Sequence, residues 1–190
     1  MTEQEKIEFI NMFLNAVVKS TGKSINKKFD WCISHFVNFQ YVGSGEINDG
    51  LKLLENYYIN HYKTKVIGYL CKNGFQEVYD NDMKEIKVST KTFYDTKNIY
   101  WFMGNYVDDS PSLANFFILP NGKFHKAAMD SFVEVFNEFL GNRNVDLLCV
   151  QCPIENFVWG QWIDNSYYLL VRIQNINNYD FYLLECVAYG

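Results

Sequence analysis

Ser20-Thr21-Gly22-Lys23-Ser24 has the residue types of a phosphate-binding loop, in which a glycine-rich turn aims backbone N–H groups at phosphates and a lysine reaches the terminal ones. The full motif needs a second glycine five positions earlier, where this chain has Val17, and a strand before the turn, where this chain has helical spacing. The stretch therefore reads as a helix C-terminus, with Lys19 in the last turn, Gly22 at or just past the cap, and Ser24 or Asn26 opening the next helix. Gly43-Ser44-Gly45 followed by Gly50 fails as a dinucleotide fingerprint because the third glycine stands at the wrong offset. It reads as a flexible 43–50 connection able to line a binding cleft.

Cys32-Ile33-Ser34-His35 and Cys149-Val150-Gln151-Cys152 each place two ligand-capable residues three apart, and together they supply a Cys₃His set of the kind zinc accepts. Residues three apart face opposite sides of a regular strand, so Cys149 and Cys152 share an ion only if Pro153 ends the strand in a turn. The favoured reading is of buried thiols. A redox role for Cys149 and Cys152 needs a helix N-terminus to lower the thiol pKa, and nothing after Pro153 reads as that helix. Nucleophilic catalysis needs a base within reach of the nucleophile, and His35, His61 and His125 are the only histidines. Cys32 and His35, one helical turn apart, are poorly placed to address one atom. Asp108-Asp109-Ser110-Pro111 has the composition of a turn. No catalytic residue, metal or cofactor is assigned on these grounds.

The elements that would position such residues follow from pattern. The chain has 190 residues, 48% of them hydrophobic, enough for one good core and too few for two, so a single domain over residues 1–190 is expected. No apolar run approaches the roughly 18 residues that cross a bilayer, the amino terminus has no signal-like apolar segment, and five scattered cysteines suit a reducing cytoplasm. Thr2 and Glu5 form a capping box before Ile7, Ile10, Leu14 and Val17, predicting a helix over 3–19. Phe29, Cys32, Ile33, Phe36 and Val37 extend a second helical stripe to about 39, although Val37, Phe39 and Tyr41 also alternate with Asn38 and Gln40 as a strand would. Asp49 caps a third helix with the stripe Leu51, Leu54, Tyr58 and Tyr62.

Beyond residue 64 the period changes to two. Asn73-Gly74 predicts a hairpin, and strands are expected at 86–92, 99–103 and 113–119. A helix with Asp130 or Ser131 as its cap, a stripe of Phe132, Val135, Phe136, Phe139 and Leu140, and Gly141 as its stop interrupts them. Strands at 145–151, 156–163, 167–173 and 181–189 follow, separated by turns at 164–166 and 175–178. Connections this short join antiparallel neighbours. The expected class is α+β, with N-terminal helices packed on a mainly antiparallel twisted sheet and one later helix at about 130–141.

Net charge is −5, and it is unevenly spread: residues 127–190 hold Arg143 and Arg172 against eight acids. That argues against a phosphate backbone as the partner of the C-terminal third and is compatible with a basic protein. Fourteen Tyr, sixteen Phe and four Trp exceed what a sheet with one solvated face can hide, and Tyr and Trp are favoured at interfaces. Trp159, Trp162, Tyr167, Tyr168 and Tyr182 are the expected binding residues. The function expected is a non-catalytic interaction module of the inhibitor or immunity type that binds a protein, or a further copy of itself, through an acidic, aromatic C-terminal sheet surface. The alternative is an enzyme or small-ligand binder with a pocket between helices and sheet.

Overall fold

The structure, a computed structural model, describes residues 1–29, 34–61, 89–94, 126–151 and 163–189. In chain order these form α1 (Glu3–Phe29), β1 (Ser34–Gly45), α2 (Gly50–His61), β2 (Ser89–Tyr94), α3 (Lys126–Leu140), β3 (Val145–Gln151), β4 (Ile163–Gln174) and β5 (Tyr179–Tyr189). The class is α+β. The five strands lie in the order β1-β5-β4-β3-β2, and every pairing is antiparallel. The expected hairpin at Asn73-Gly74 and the strands at 99–103 and 113–119 lie outside the described residues.

The capping box forms as the sequence predicts: Thr2 N–H donates to Glu5 Oε2 at 2.6 Å and Glu5 N–H donates to Thr2 Oγ1 at 3.2 Å. α1 then continues through Gly22 to Phe29 instead of stopping there, so Ser20–Ser24 is neither a phosphate loop nor a helix end. A mid-helix glycine costs about 1 kcal/mol, which the bonds on either side of it outweigh in a helix of 27 residues. The expected second helix to residue 39 is a strand. Its alternation carries the information that its helical spacing obscures: Val37 and Phe39 are buried on one face, while Asn38 and Gln40 reach Glu185 on the other. The expected turn at 164–166 is likewise strand, with a register irregularity between Ile163 and Asn165. α3 begins four residues before its expected cap, so Ser131 lies inside it and donates to Ala127 O at 2.9 Å.

α3 ends where glycine permits. Gly141 has φ 58°, in the left-handed region, and donates its N–H to Asn137 O at 2.8 Å. Arg143 folds back on the same helix end, donating from Nε to Leu140 O at 3.0 Å and from Nη2 to Phe139 O. Its guanidinium also lies over the Phe139 ring. A cation at this end satisfies open carbonyls and opposes the helix dipole.

Among the described residues, helices pack on both faces of the sheet. On one, Ile7, Ile10 and Leu14 of α1 and Phe132, Phe136, Phe139 and Leu140 of α3 pack on Val37, Phe39, Leu147, Leu169, Val171, Tyr182 and Leu184. On the other, α2 brings Leu54 into the interior, and Gly50 lies so close to the sheet that an added Cβ would stand 2.7 Å from Phe181 Cε1. Residues 181–186 of β5 are accordingly buried without a break. Such a strand reads as a continuous apolar run, because neither face meets water.

The outer edge of β1 is occupied by a side chain. Asn11 of α1 donates from Nδ2 to Phe39 O and accepts from Phe39 N–H, both at 2.6 Å, so one amide satisfies the two outward backbone groups of that residue. Asn15, one turn on, donates from Nδ2 to Val37 O at 3.3 Å.

Candidate functional site

One end of the sheet gathers three short segments: the β1–α2 loop at 46–49, the α3–β3 turn at 141–144 and the β4–β5 turn at 175–178. Their proximity follows from register, since Gly45 and Gln174 both pair with Tyr179, and Asn144 O accepts from Gln174 N–H at 2.9 Å. The β4–β5 turn is tied down at several points. Asn175 N–H donates to Asn178 O at 2.8 Å, Asn175 Nδ2 donates to Asp180 Oδ2 at 2.6 Å, and Asn144 Nδ2 donates to Gln174 Oε1 at 2.6 Å.

On this held turn Ile176 is 98% exposed. An isolated exposed isoleucine is ordinary; this one is fixed at the apex of a hairpin whose backbone is held in place. At the base of that hairpin the Tyr41 hydroxyl donates to Asp180 Oδ1 at 3.4 Å. A shallow groove of about 730 Å³ runs beside the apex, lined by Arg143, Asn144, Gln174 and residues 175–178.

The charge of this end is set by which ions are already paired. Arg143 Nη1 lies 2.6 Å from Glu3 Oε1, and Arg172 Nη2 lies 2.6 Å from Asp146 Oδ2. Glu46, Asp49 and Asp180 have no ion pair among the described residues. Partial burial pushes Glu3 up, but hydrogen bonds from Arg143 and Tyr182 and the charges of Arg143 and Lys6 outweigh it, so its pKa lies below the ordinary value. Burial, then the Glu3 carboxylate, hold the Tyr182 phenol protonated well above its usual range.

Of the aromatic residues expected to form the binding surface, two have described side chains. Tyr168 and Tyr182 are 5% and 2% exposed, and their rings are interior groups. Tyr182 packs against Phe139 at a centroid distance of 5.1 Å and Phe39 at 5.9 Å. Tyr182 belongs to the core under α1 and α3, and Tyr168 pairs with Glu185 on the face that α2 approaches, so neither ring is left to a solvated sheet face. Tyr167 lies on β4 opposite Cys186 of β5. Trp159 and Trp162 lie outside the described residues.

The strand order also bears on the zinc set. His35 is on β1 and Cys149 on β3, with β5 and β4 between them. Three strand spacings amount to about 14 Å, beyond the reach of two ligands to one ion. Cys32 and Cys152 lie outside the described residues. Among the described residues no group of three His, Cys, Asp or Glu is arranged to hold a metal.

Cys186 is a buried free thiol. Burial, then the adjacent Glu185 carboxylate, push its pKa far up, which makes it an inert packing group rather than a nucleophile. Because the folded chain keeps a proton that the unfolded thiol loses near pH 8.5, this group's stabilisation is complete below that pH and falls as pH rises above it. Urea unfolding should show about 2 kcal/mol of it gone at pH 10 relative to pH 7.5. Cys186→Ala should show a correspondingly flatter loss over that interval, and equal slopes for the two proteins would refute the assignment.

Sequence reasoning passed over Glu185, which is 6% exposed in the middle of the α2-covered face. Its Oε2 accepts from Asn38 Nδ2 at 3.2 Å, Gln40 Nε2 at 3.4 Å and Tyr57 Oη at 3.5 Å. The signal was present as a single acid inside Leu183-Leu184-Glu185-Cys186-Val187. Compared with protein-family models, curated proteins and solved structures, the chain gives no significant match.

Proposed function

We propose that this protein is a non-catalytic interaction module, of the inhibitor or immunity type, that docks a basic protein partner with the end of its sheet. The observation that carries the reading is Ile176, almost fully exposed on a turn fixed by hydrogen bonds from Asn144 and Asn175. A held apex loses little conformational freedom on binding, so more of its contact energy appears as affinity. Around it Glu46, Asp49 and Asp180 supply the complement to a cationic rim, which guides encounter and partner choice. The same acids disfavour a nucleic acid. The docking surface is thus the hairpin end, not the rings of Tyr168 and Tyr182. A reducing compartment such as the cytoplasm suits the unpaired thiol of Cys186. No described helix is long and apolar enough to cross a membrane.

Size-exclusion chromatography with light scattering, on the protein alone and mixed with the products of adjacent genes, tests the reading through a complex of defined mass. Within that complex Ile176→Asp should weaken binding by at least about 30-fold, the effect of losing a central anchor, while leaving the melting temperature unchanged. An Ile176→Asp protein that binds as tightly as the parent would remove the apex from the interface.

A further inference from the structure

We infer that the cleft between the first turn of α2 and the sheet is a binding site for a small, uncharged, mainly apolar molecule with one hydrogen-bonding end. The cleft encloses about 350 Å³ and is lined by Ile47, Asn48, Gly50, Leu51, Leu148, Leu170, Arg172 and Phe181. At roughly 30 Å³ per heavy atom it admits about ten, at the small end of known ligand pockets.

Its floor is dry. Leu148, Leu170 and Phe181 are all buried, and they come from three adjacent strands, β3, β4 and β5. Gly50 closes one end of the cleft by packing directly on that floor, where an added Cβ would meet Phe181 Cε1 at 2.7 Å and Leu170 Cδ2 at 3.0 Å. The polar groups are at the mouth. Asn48 is exposed there, and Arg172 is held by Asp146, which accepts from Nε at 2.8 Å, and by Ile47 O, which accepts from Nη1 at 2.9 Å.

That arrangement selects against charge. A carboxylate entering beside Arg172 also meets Asp146, and an ammonium drawn to Asp146 also meets Arg172, so the pair's two fields largely cancel and either ion gives up hydration for little return. An alcohol or amide end can use Asn48 without that loss, while its apolar body packs on Leu51 and Ile47, the apolar lining residues that remain accessible. The inference does not depend on the docking proposal, since the cleft opens between α2 and the sheet and no residue of the hairpin apex lines it.

Isothermal titration of the intact chain with 1-butanol, 1-hexanol and 1-octanol, and with hexanoate and hexylamine, provides the test. Saturable one-to-one binding of the alcohols is expected, tightening roughly fourfold per added methylene until the chain outgrows the cleft. Hexanoate and hexylamine should bind at least tenfold more weakly than 1-hexanol. Leu51→Phe and Leu148→Phe, which fill the space, should abolish binding, with the melting temperature kept in Leu51→Phe. Absence of saturable binding, equal affinity for the charged analogues, or undiminished binding by both filled variants would each overturn the inference. Should a filled variant fail to fold, methyl shifts in the parent protein decide: changes on Leu51, Leu148 and Leu170 with 1-hexanol uphold the cleft, and changes confined elsewhere refute it.

Discussion

Phe39→Ala should lower the free energy of unfolding by about 4 kcal/mol, a large part of the roughly 5–15 kcal/mol that holds an ordinary domain together. The ring is fully buried and is a hub of the aromatic cluster, with centroids 5.1 Å from Phe139, 5.3 Å from Phe136 and 5.9 Å from Tyr182. Two of these contacts are edge-on, the geometry that adds to simple area burial. The neighbours come from α3 and β5, elements tied into other contacts, so they cannot close over the space and a cavity remains. Urea denaturation followed by circular dichroism measures the loss. Phe39→Leu, which keeps most of the volume, should lose less than half as much. A Phe39→Ala change below about 1 kcal/mol would mean that the ring is not where the two layers meet.

Glu185→Ala should cost about 3 kcal/mol for a different reason. The substitution removes an acceptor shared by Asn38, Gln40 and Tyr57 on a face closed by α2, and those donors lose a partner in a place poor in water. Glu185→Gln keeps one oxygen but adds an N–H₂ that needs an acceptor of its own, and should cost about 1 kcal/mol. The assignment is checked by a double-mutant cycle with Tyr57→Phe, in which a coupling of at least 0.5 kcal/mol is expected. Strictly additive effects would show that the hydroxyl and the carboxylate do not act together.

Much of the architecture was legible wherever one local signal acted without a competitor. The Thr2–Glu5 box, Gly141 after α3 and the asparagine-rich turn between β4 and β5 each impose a backbone conformation through their own chemistry, and each marks an element boundary. Reading failed where two patterns overlapped. Around Phe36 and Val37 a helical stripe and a two-residue alternation share the same residues, and only the neighbouring strand β5 decides between them. Gly22 looks like a terminus in isolation, yet its penalty is small beside the cooperativity of a long helix.

The candidate site was less legible than the fold. Composition could not say that Tyr168 and Tyr182 are interior rings, because which rings a helix covers is a property of tertiary packing and not of any stretch of residues. Ile176, in contrast, sits in a polar turn where nothing buries it. An apolar residue within Asn175-Ile176-Asn177-Asn178 was the local sign that was available.

The amide of Asn11 has a further consequence. A sheet margin with open backbone groups can be lengthened by any passing extended peptide, which is how fibrils are seeded and how many recognition domains capture their targets. Along β1 a peptide would first have to evict Asn11 from both groups of Phe39, and with it the packed flank of α1. Pairing of a foreign strand with β1 is therefore disfavoured at Phe39, where both outward backbone groups already have partners.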